Sequence, residues 1–428
     1  MTMTRRQLAL GALGSGLLAG CGAMPGGEMT PMARHHAKMH GPAPSLSTEG
    51  LARIAPALRG EVERGIFPGA IALVAHRGEI VYHEAVGFRD AAKTQPMTRD
   101  AIFRLASMTK PITSVATMML VEQGRLKIED PIVRWLPELA NLKVETPAGD
   151  VALVRPITVQ DLLMHTAGFV YGAASPSPRI KQMYADLAIE ANEVDVPGDE
   201  MLRRLGTIPL LHQPGTTWFY SIATDVLGLL LERVTRTRLD ALFDSMLIQP
   251  LGMTDTAWWV QPAKKARLAE TLDSDAQKAM MLRAYRHDTD PAPRTYLKGG
   301  AGLVGTSTDY QKFAQMVLDG GTDGQRRYLS RKTVEYMLSD HLPGRSAGAP
   351  VPTTGPGYGF GLGWGVRIHQ GVAWTPGSIG DAMWAGAWGT SFWIDPRERL
   401  VGVLMAQAPS NRLHTRMLYK NLVYGALS

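Results

Sequence analysis

The sequence predicts an α+β fold, in which an antiparallel β-sheet is flanked by N- and C-terminal helices and carries an inserted, mainly helical lobe. Runs typical of strands occur near both ends, at 70–88 and 358–407. Helical patterns dominate between them, from about 102 to 286, and further helical patterns lie outside the strands. Because one sheet must collect strands from both ends of the chain, the helical stretch becomes an insertion beside it.

The N-terminal part of the chain is expected to form a helix followed by a β-hairpin. A helix is expected between Leu46 and Gly65, where apolar residues recur every three or four positions, namely Leu51, Ile54, Leu58 and Val62. The runs 70–76 and 79–88 are β-rich and are separated only by Arg77-Gly78. Two such runs around a two-residue turn predict a β-hairpin.

The rest of the chain is expected to form further helices and the remaining strands. The helical stretch is interrupted at Gly124, Pro131 and Pro137. A helix is expected at 309–318, strands near 358–368, 381–394 and 399–407, and a last helix from about Asn411. We therefore predict a sheet lobe from 47–100 and 290–428, and a helical lobe from 101–289, with a cleft where they meet.

Composition narrows the functional class. The 428 residues are 45% hydrophobic and 20% charged, with a formal net charge of +6. No block of Lys and Arg interleaved with aromatic residues occurs, so nucleic acid is not expected as a partner. His35, His36 and His40 lack neighbouring acidic or thiol ligands and are expected to be solvated. We predict neither a metal nor a cofactor.

The first residues are typical of an export signal. Arg5-Arg6 precedes a small apolar stretch from 8 to 19 that is too short to span a bilayer. The stretch ends at Leu-Ala-Gly-Cys, residues 18–21, which resembles a bacterial lipoprotein signal, and Cys21 is the only cysteine of the chain. We predict a signal peptide at 1–20, a lipidated tether at 21–46 beginning at Cys21, and an exported protein facing the periplasm. Gly22 favours the outer membrane for the anchor, and the alternative is simple cleavage without lipid.

A serine and a lysine indicate the chemistry. Residues 107–110 read Ser-Met-Thr-Lys and open the helical run 111–122. A serine at the head of a helix with a lysine three residues later places both side chains on one face, one turn apart. That arrangement can hold a hydroxyl nucleophile beside an amine. A capping serine followed by a solvated lysine is the alternative.

Tyr220 adds a third group. It follows Pro214-Gly215 and an aromatic cluster, and it precedes a predicted helix. A serine hydroxyl needs a base to become a nucleophile, and an ammonium stabilises a tyrosine phenolate. Either Tyr220 or a neutral Lys110 could be the base, and the sequence does not decide between them.

Several motifs in the same order resemble the serine hydrolases related to class C β-lactamases and penicillin-binding proteins, and within them most of all the family VIII carboxylesterases. They are residues 107–110, 162–168, 220–221, 250–253 and 300–303. The resemblance spans roughly residues 50–425 and implies their two-lobed fold. It implies Ser107 as the acyl-enzyme nucleophile, with Lys110 and Tyr220 as the basic pair. It also implies an oxyanion hole made by the backbone N–H groups of Ser107 and Ala387.

Two departures from the lactamase pattern favour a neutral substrate. Ile222 stands where the lactamases carry an asparagine that binds the substrate amide, and Trp384-Ala385-Gly386 stands where they carry Lys-Thr-Gly. We therefore expect Ile222, Trp384 and Gly386 to bind an uncharged acyl ester, and predict a serine carboxylesterase acting on small esters. The alternatives are a β-lactamase or D,D-peptidase of the same fold, and a non-catalytic lipoprotein that binds a cell-envelope ligand.

Three other features are given structural roles. Residues 344–348 fit Gly-x-Ser-x-Gly but lack the strand and helix that a nucleophile elbow needs, so a surface loop is expected there. His165 is expected to be a hydrogen-bonded structural histidine. Asp225 is expected to cap its helix or complement the helix dipole.

Overall fold

A seven-stranded antiparallel sheet is the centre of the computed structural model, which describes residues 45–190, 195–284, 294–342 and 351–428. Its members are β1 Gly69–His76, β2 Glu79–Gly87, β7 Tyr358–Phe360, β8 Gly365–Arg367, β9 Ala382–Ala385, β10 Ser391–Asp395 and β11 Leu400–Ala406. The strand order is β2-β1-β11-β10-β9-β8-β7, so strands from both ends of the sequence pair directly, as predicted. Two short pairs lie apart from it, β3 Phe103–Arg104 with β6 Val304–Gly305, and β4 Lys143–Val144 with β5 Val151–Ala152.

The predicted hairpin of β1 and β2 is confirmed. Arg77 and Gly78 have φ values of 55° and 89°, the two positive values that a tight turn between right-twisted strands requires. β1 then pairs with β11 on its other side, Ala70 opposite Ala406. This pairing joins the N-terminal and C-terminal strands in one sheet.

The helices surround the sheet. They are α1 Thr48–Leu51, α2 Ile54–Glu63, α3 Thr109–Glu122, α4 Val159–Met164, α5 Pro178–Asp186, α6 Gly198–Leu205, α7 Ala223–Thr235, α8 Leu239–Phe243, α9 Lys278–Ala284, α10 Ser307–Leu318, α11 Arg331–Met337, α12 Val351–Thr354 and α13 Arg412–Tyr424. None of the helices in the described ranges is both long and apolar enough to cross a membrane.

Successive side chains of a strand point to opposite faces of the sheet, and the side chains of β1 are buried on both faces. Ala70, Ala72 and Val74 pack in one cluster with α2 and α13. Ile71, Leu73 and Ala75 pack in the main core, which also holds apolar residues of α3 and α10. The terminal helices therefore cover one face, and α10 packs against β1, β10 and β11 on the other.

Three predicted elements differ in detail. The strand expected over 358–368 is two strands, β7 and β8, which pair with each other. The helix expected over 46–65 is two helices, α1 and α2, separated at Ala52 and Arg53. The strand expected over 381–394 is β9 and β10, joined by the turn 386–389. The predicted fold class is confirmed, while the boundaries of the two lobes remain a prediction. Cys21, the signal segment, the tether histidines and the Gly-x-Ser-x-Gly segment lie outside the described residues.

Candidate active site

Ser107 lies in a tight turn, Ala106–Met108, immediately before α3. Ala106, which precedes it, is fully buried and has a φ of +46°. A non-glycine residue in this left-handed region is strained by about 1–2 kcal/mol. Leu105 anchors the turn, because its N–H donates to Leu303 O at 3.0 Å and its carbonyl accepts from Thr390 Oγ1 at 3.3 Å. Neighbouring chain segments thus hold the backbone of Ser107 on both sides.

The three predicted catalytic side chains meet at the Ser107 hydroxyl. Tyr220 Oη donates to Ser107 Oγ at 2.7 Å, and Lys110 Nζ donates to the same oxygen at 3.3 Å. Lys110 Nζ also lies 4.8 Å from the centre of the Tyr220 ring. Ser107 is 6% exposed and Lys110 1% exposed, so charge that develops here is poorly screened by water.

Lys110 is fixed by two further oxygens. Its Nζ donates to Tyr171 Oη at 2.9 Å and to the carbonyl of Gly300 at 2.8 Å. The N–H of Gly300 in turn donates to Asp225 Oδ1 at 2.9 Å. Asp225 lies in the first turn of α7, as expected, and its carboxylate binds the N–H of the same glycine whose carbonyl accepts from the lysine. Asp225 is therefore connected to Lys110 through Gly300.

A buried charged cluster lies behind this connection. Lys298 is attracted by both Asp225 and Glu190, yet burial, the larger effect, lowers its pKa. Burial likewise raises the pKa of Glu190, whose Oε2 accepts from the N–H of Gly172 at 2.8 Å. Gly172 follows Tyr171 directly. The cluster thus supports both peptide segments that place oxygens on Lys110.

Aromatic rings hold Tyr220 from behind. Its ring lies 4.9 Å from the His165 ring and 5.5 Å from the Trp384 ring, both edge to face. His165 Nδ1 lies 3.3 Å from Ser221 Oγ, as expected of a structural histidine. Burial and then the charge of Lys110 hold the pKa of His165 well below 6.5. His165 is therefore a neutral wall of the site at neutral pH.

The turn 386–389 lies beside the segment that carries the nucleophile. Gly389 N donates to Gly386 O at 3.1 Å, and Ala387 packs in the same small cluster as Ala106. A Cβ on Gly386 would lie 2.3 Å from the carbonyl oxygen of Leu105, so only glycine allows this close approach. Within the described residues, neither the N–H of Ser107 nor that of Ala387 donates a hydrogen bond. Two free donors on adjoining segments are what an oxyanion hole needs.

The other two predicted substrate-binding residues, Trp384 and Ile222, are buried. Trp384 is fully buried in β9 between Tyr220 and Phe360. Ile222 is 3% exposed and precedes α7 as part of the core. Their direct contact with a substrate remains a prediction. No group of His, Cys, Asp and Glu suited to a metal occurs among the residues that the structure describes.

Sequence reasoning missed two residues of this site. Tyr171 lies three positions after Gly168 of a motif that the sequence analysis quoted, and its place beside that motif was the available signal. Arg416 of α13 donates to Gly386 O. Arg412, Arg416 and Lys420 are spaced four residues apart. This spacing places three cations on one face of a helix, which was the available signal.

Comparisons with known proteins find similar esterases. Esterase EstB of Burkholderia gladioli is 34% identical over 346 residues, which cover 76% of this chain and 82% of that protein. Lovastatin esterase of Penicillium rubens is 30% identical over 379 residues, covering 81% and 90% of the two chains.

A solved structure and a protein family also match this chain. The structure of EstCE1, described as a hydrolase with promiscuous acyltransferase activity, matches with a TM-score of 0.75 and 28% identity, covering 88% of this chain and 98% of that one. The sequence description of the Beta-lactamase family matches residues 54–425. The predicted resemblance is confirmed at this level: the chain belongs to the Beta-lactamase family.

Proposed function

We propose that this protein is a serine carboxylesterase that works through an acyl-enzyme on Ser107. The observation that carries the proposal is the convergence of Tyr220 Oη, at 2.7 Å, and Lys110 Nζ, at 3.3 Å, on one buried serine oxygen. The relatives named as esterases support the choice of substrate class.

Acylation uses the three side chains together. Tyr220, the nearer of the two basic groups, acts as a phenolate that has lost its own proton to solvent, and it takes the proton of Ser107 as Oγ attacks the ester carbonyl carbon. The Lys110 ammonium stabilises the tyrosine oxygen while that oxygen carries negative charge. The N–H groups of Ser107 and Ala387 bind the carbonyl oxygen as it becomes an alkoxide. The C–O bond to the alcohol then breaks, and Tyr220 returns the proton to the leaving oxygen.

Deacylation repeats the steps with water. Tyr220 removes a proton from water, the water oxygen attacks the acyl carbon, and the bond to Ser107 Oγ breaks with return of the proton to that oxygen. The acid is released and the enzyme is restored. An alcohol that binds in place of water would yield a new ester by the same chemistry.

The substrate we propose is a neutral ester, as in the family VIII carboxylesterases. Trp384 supplies no positive charge for a substrate carboxylate, and Ile222 supplies no amide for a peptide-like group. A β-lactam acid or a D-alanyl peptide would lose both interactions. Ile222 and Trp384 therefore favour an apolar acyl chain over the substrates of lactamases and D,D-peptidases.

A substrate panel tests this proposal. Purified protein without residues 1–44 is given p-nitrophenyl esters of increasing acyl length, a chromogenic cephalosporin and a D-Ala-D-Ala peptide. We expect ester turnover to exceed cephalosporin and peptide turnover by at least about 100-fold in kcat/KM, the loss of one or two strong polar contacts. Cephalosporin hydrolysis at the ester rate contradicts the proposal, and a chain inactive on all three is instead a binding protein.

We also propose that the protein is exported and anchored to a membrane by lipid on Cys21. The Leu-Ala-Gly-Cys sequence at 18–21 supports this. In a bacterial host that processes lipoproteins, the full chain is expected to enter the detergent phase and to incorporate labelled fatty acid. Cys21→Ser should abolish the label, and an unlabelled membrane-free wild type contradicts the anchor.

A further inference from the structure

Arg416 is a cation buried without a counter-charge. It is 9% exposed on the inner face of α13, and no carboxylate lies within ion-pair distance of it in the described ranges. Its Nε likewise has no hydrogen-bond partner there. Burying an unpaired guanidinium is strongly unfavourable. Such a group persists in a folded protein where it serves a purpose other than stability.

The contact that Arg416 does make is with the peptide of the oxyanion hole. Its Nη2 donates to the carbonyl oxygen of Gly386. That carbonyl and the N–H of Ala387 belong to one planar trans peptide, in which they point in opposite directions. A donor fixed on the oxygen side therefore fixes the direction of the Ala387 N–H on the other side.

The bond also changes the strength of that donor. Gly386 O accepts from Gly389 N at 3.1 Å as well as from the guanidinium. A charge-assisted bond to a carbonyl polarises its amide, and chains of such bonds strengthen one another in a medium of low dielectric. The Ala387 N–H thus becomes a better donor for a developing negative oxygen.

We propose that Arg416 is a positioning residue of the oxyanion hole, which orients and polarises the Gly386–Ala387 peptide so that the Ala387 N–H stabilises the tetrahedral intermediate. This inference rests on the proposed esterase function. On this proposal, Arg416 of the terminal helix contributes to stabilisation of the transition state although it lies far from Ser107 in the sequence.

The electrostatics around Arg416 agree with this role. Burial, and next the charge of Arg412, lower the pKa of Arg416 to about 9, while Tyr220 acts in the opposite direction. The guanidinium therefore stays charged at neutral pH. A positive charge within reach of Tyr220 also favours negative charge on that oxygen during proton transfer.

The test compares Arg416→Met, Arg416→Lys and Arg416→Gln with the wild type on p-nitrophenyl butyrate. Because removal of a whole oxyanion donor costs about 100- to 1,000-fold in kcat, we expect Arg416→Met to lose about 10- to 100-fold with an almost unchanged KM. Lysine, which keeps a charged donor, should recover most of the rate, and glutamine should lie between them. Glutamine and lysine still give the comparison if the methionine variant does not fold.

A transition-state analogue separates positioning from mere structure. Phenylboronic acid forms a tetrahedral adduct with the serine, so its inhibition constant should weaken in proportion to kcat/KM across the three variants. Arg412→Met is the matched control, since Arg412 lies one turn earlier and donates to Gln277 Oε1 at 3.0 Å. It should keep wild-type kinetics.

Three results overturn the proposal. The first is a folded Arg416→Met with wild-type kcat, the second is a loss of kcat that leaves boronate affinity unchanged, and the third is a loss of kcat that is equal in the lysine and methionine variants. Any of these results, beside a wild type that hydrolyses esters and an inactive Ser107→Ala, contradicts the role of Arg416 alone. A wild type that hydrolyses no ester contradicts the proposed function, and this inference with it.

Discussion

Lys110 Nζ lies closer to Tyr171 Oη, at 2.9 Å, than to Ser107 Oγ, at 3.3 Å. The Tyr171 ring is also tilted against that of Tyr220, with centres 5.3 Å apart. Tyr171 therefore shares the ammonium with the nucleophile and lies beside the second tyrosine. A residue in this position controls where the lysine charge sits relative to Ser107.

Tyr171→Phe removes that hydroxyl and leaves the ring. We expect kcat for p-nitrophenyl butyrate to fall about 10-fold, since one hydrogen bond to a charged group is worth about 1.5–3 kcal/mol and the remaining contacts of Lys110 persist. KM should change little. Tyr328→Phe is the control, because Tyr328 Oη binds Asp323 instead. A Tyr171→Phe variant as active as the control contradicts a role for this hydroxyl.

The connection from Asp225 through Gly300 predicts a difference between two variants. Asp225→Asn keeps an oxygen that can accept from the Gly300 N–H, whereas Asp225→Ala leaves that buried donor unpaired at a cost of about 1–3 kcal/mol. Steady-state kinetics should therefore show a larger loss of kcat in the alanine variant, together with a lower melting temperature. Equal kinetics in both variants would mean that the Gly300 carbonyl holds Lys110 without help from Asp225.

Gly386 tests the close approach of the turn to the nucleophile segment. In Gly386→Ala, the Cβ would lie 2.3 Å from both Leu105 O and Thr390 Oγ1, so the turn must move away. We expect the Ala387 N–H to leave the hole and kcat to fall at least 100-fold, the effect of losing one oxyanion donor. Gly371→Ala has nothing within 4 Å of its new Cβ and should keep full activity. Full activity in both variants would place the hole elsewhere.

His165 predicts how stability depends on pH. Burial, and then the Lys110 charge, hold its pKa in the folded protein well below the usual 6.5, so below pH 6.5 the unfolded chain binds the proton more readily. Its contribution to the free energy of unfolding is present above pH 6.5. It is lost as the pH falls from 6.5 toward the folded pKa, by at most about 1.4 kcal/mol per pH unit.

Denaturant unfolding from pH 4.5 to 7.5 measures this dependence. The free energy of unfolding of His165→Gln should decline less steeply with acid than that of the wild type, even though the variant is less stable at pH 7.5. Parallel curves for the two proteins would show that His165 is not the responsible group.

The sequence was most informative where local chemistry decides the structure. Arg77-Gly78 specified a hairpin because few residue pairs suit a tight turn, and the spacing of Ser107 and Lys110 follows from one helical turn. The meeting of Tyr220 with them required the family resemblance, since 110 positions separate Tyr220 from Lys110. Tyr171 and Arg416 escaped notice because their contacts depend on how distant segments pack. The four-residue spacing of Arg412, Arg416 and Lys420 places three cations on one face of α13, but it does not show which of them is buried.

The central claim is that Ser107 carries the acyl group, and mass spectrometry of the intact protein and of its proteolytic peptides tests it most directly. After rapid mixing with p-nitrophenyl butyrate and acid quenching, or after reaction with a fluorophosphonate, we expect one added group on the peptide that contains Ser107. Ser107→Ala should show no added mass and no ester hydrolysis while its melting temperature stays near that of the wild type. Label on another residue, or undiminished hydrolysis by a folded Ser107→Ala, would contradict the account.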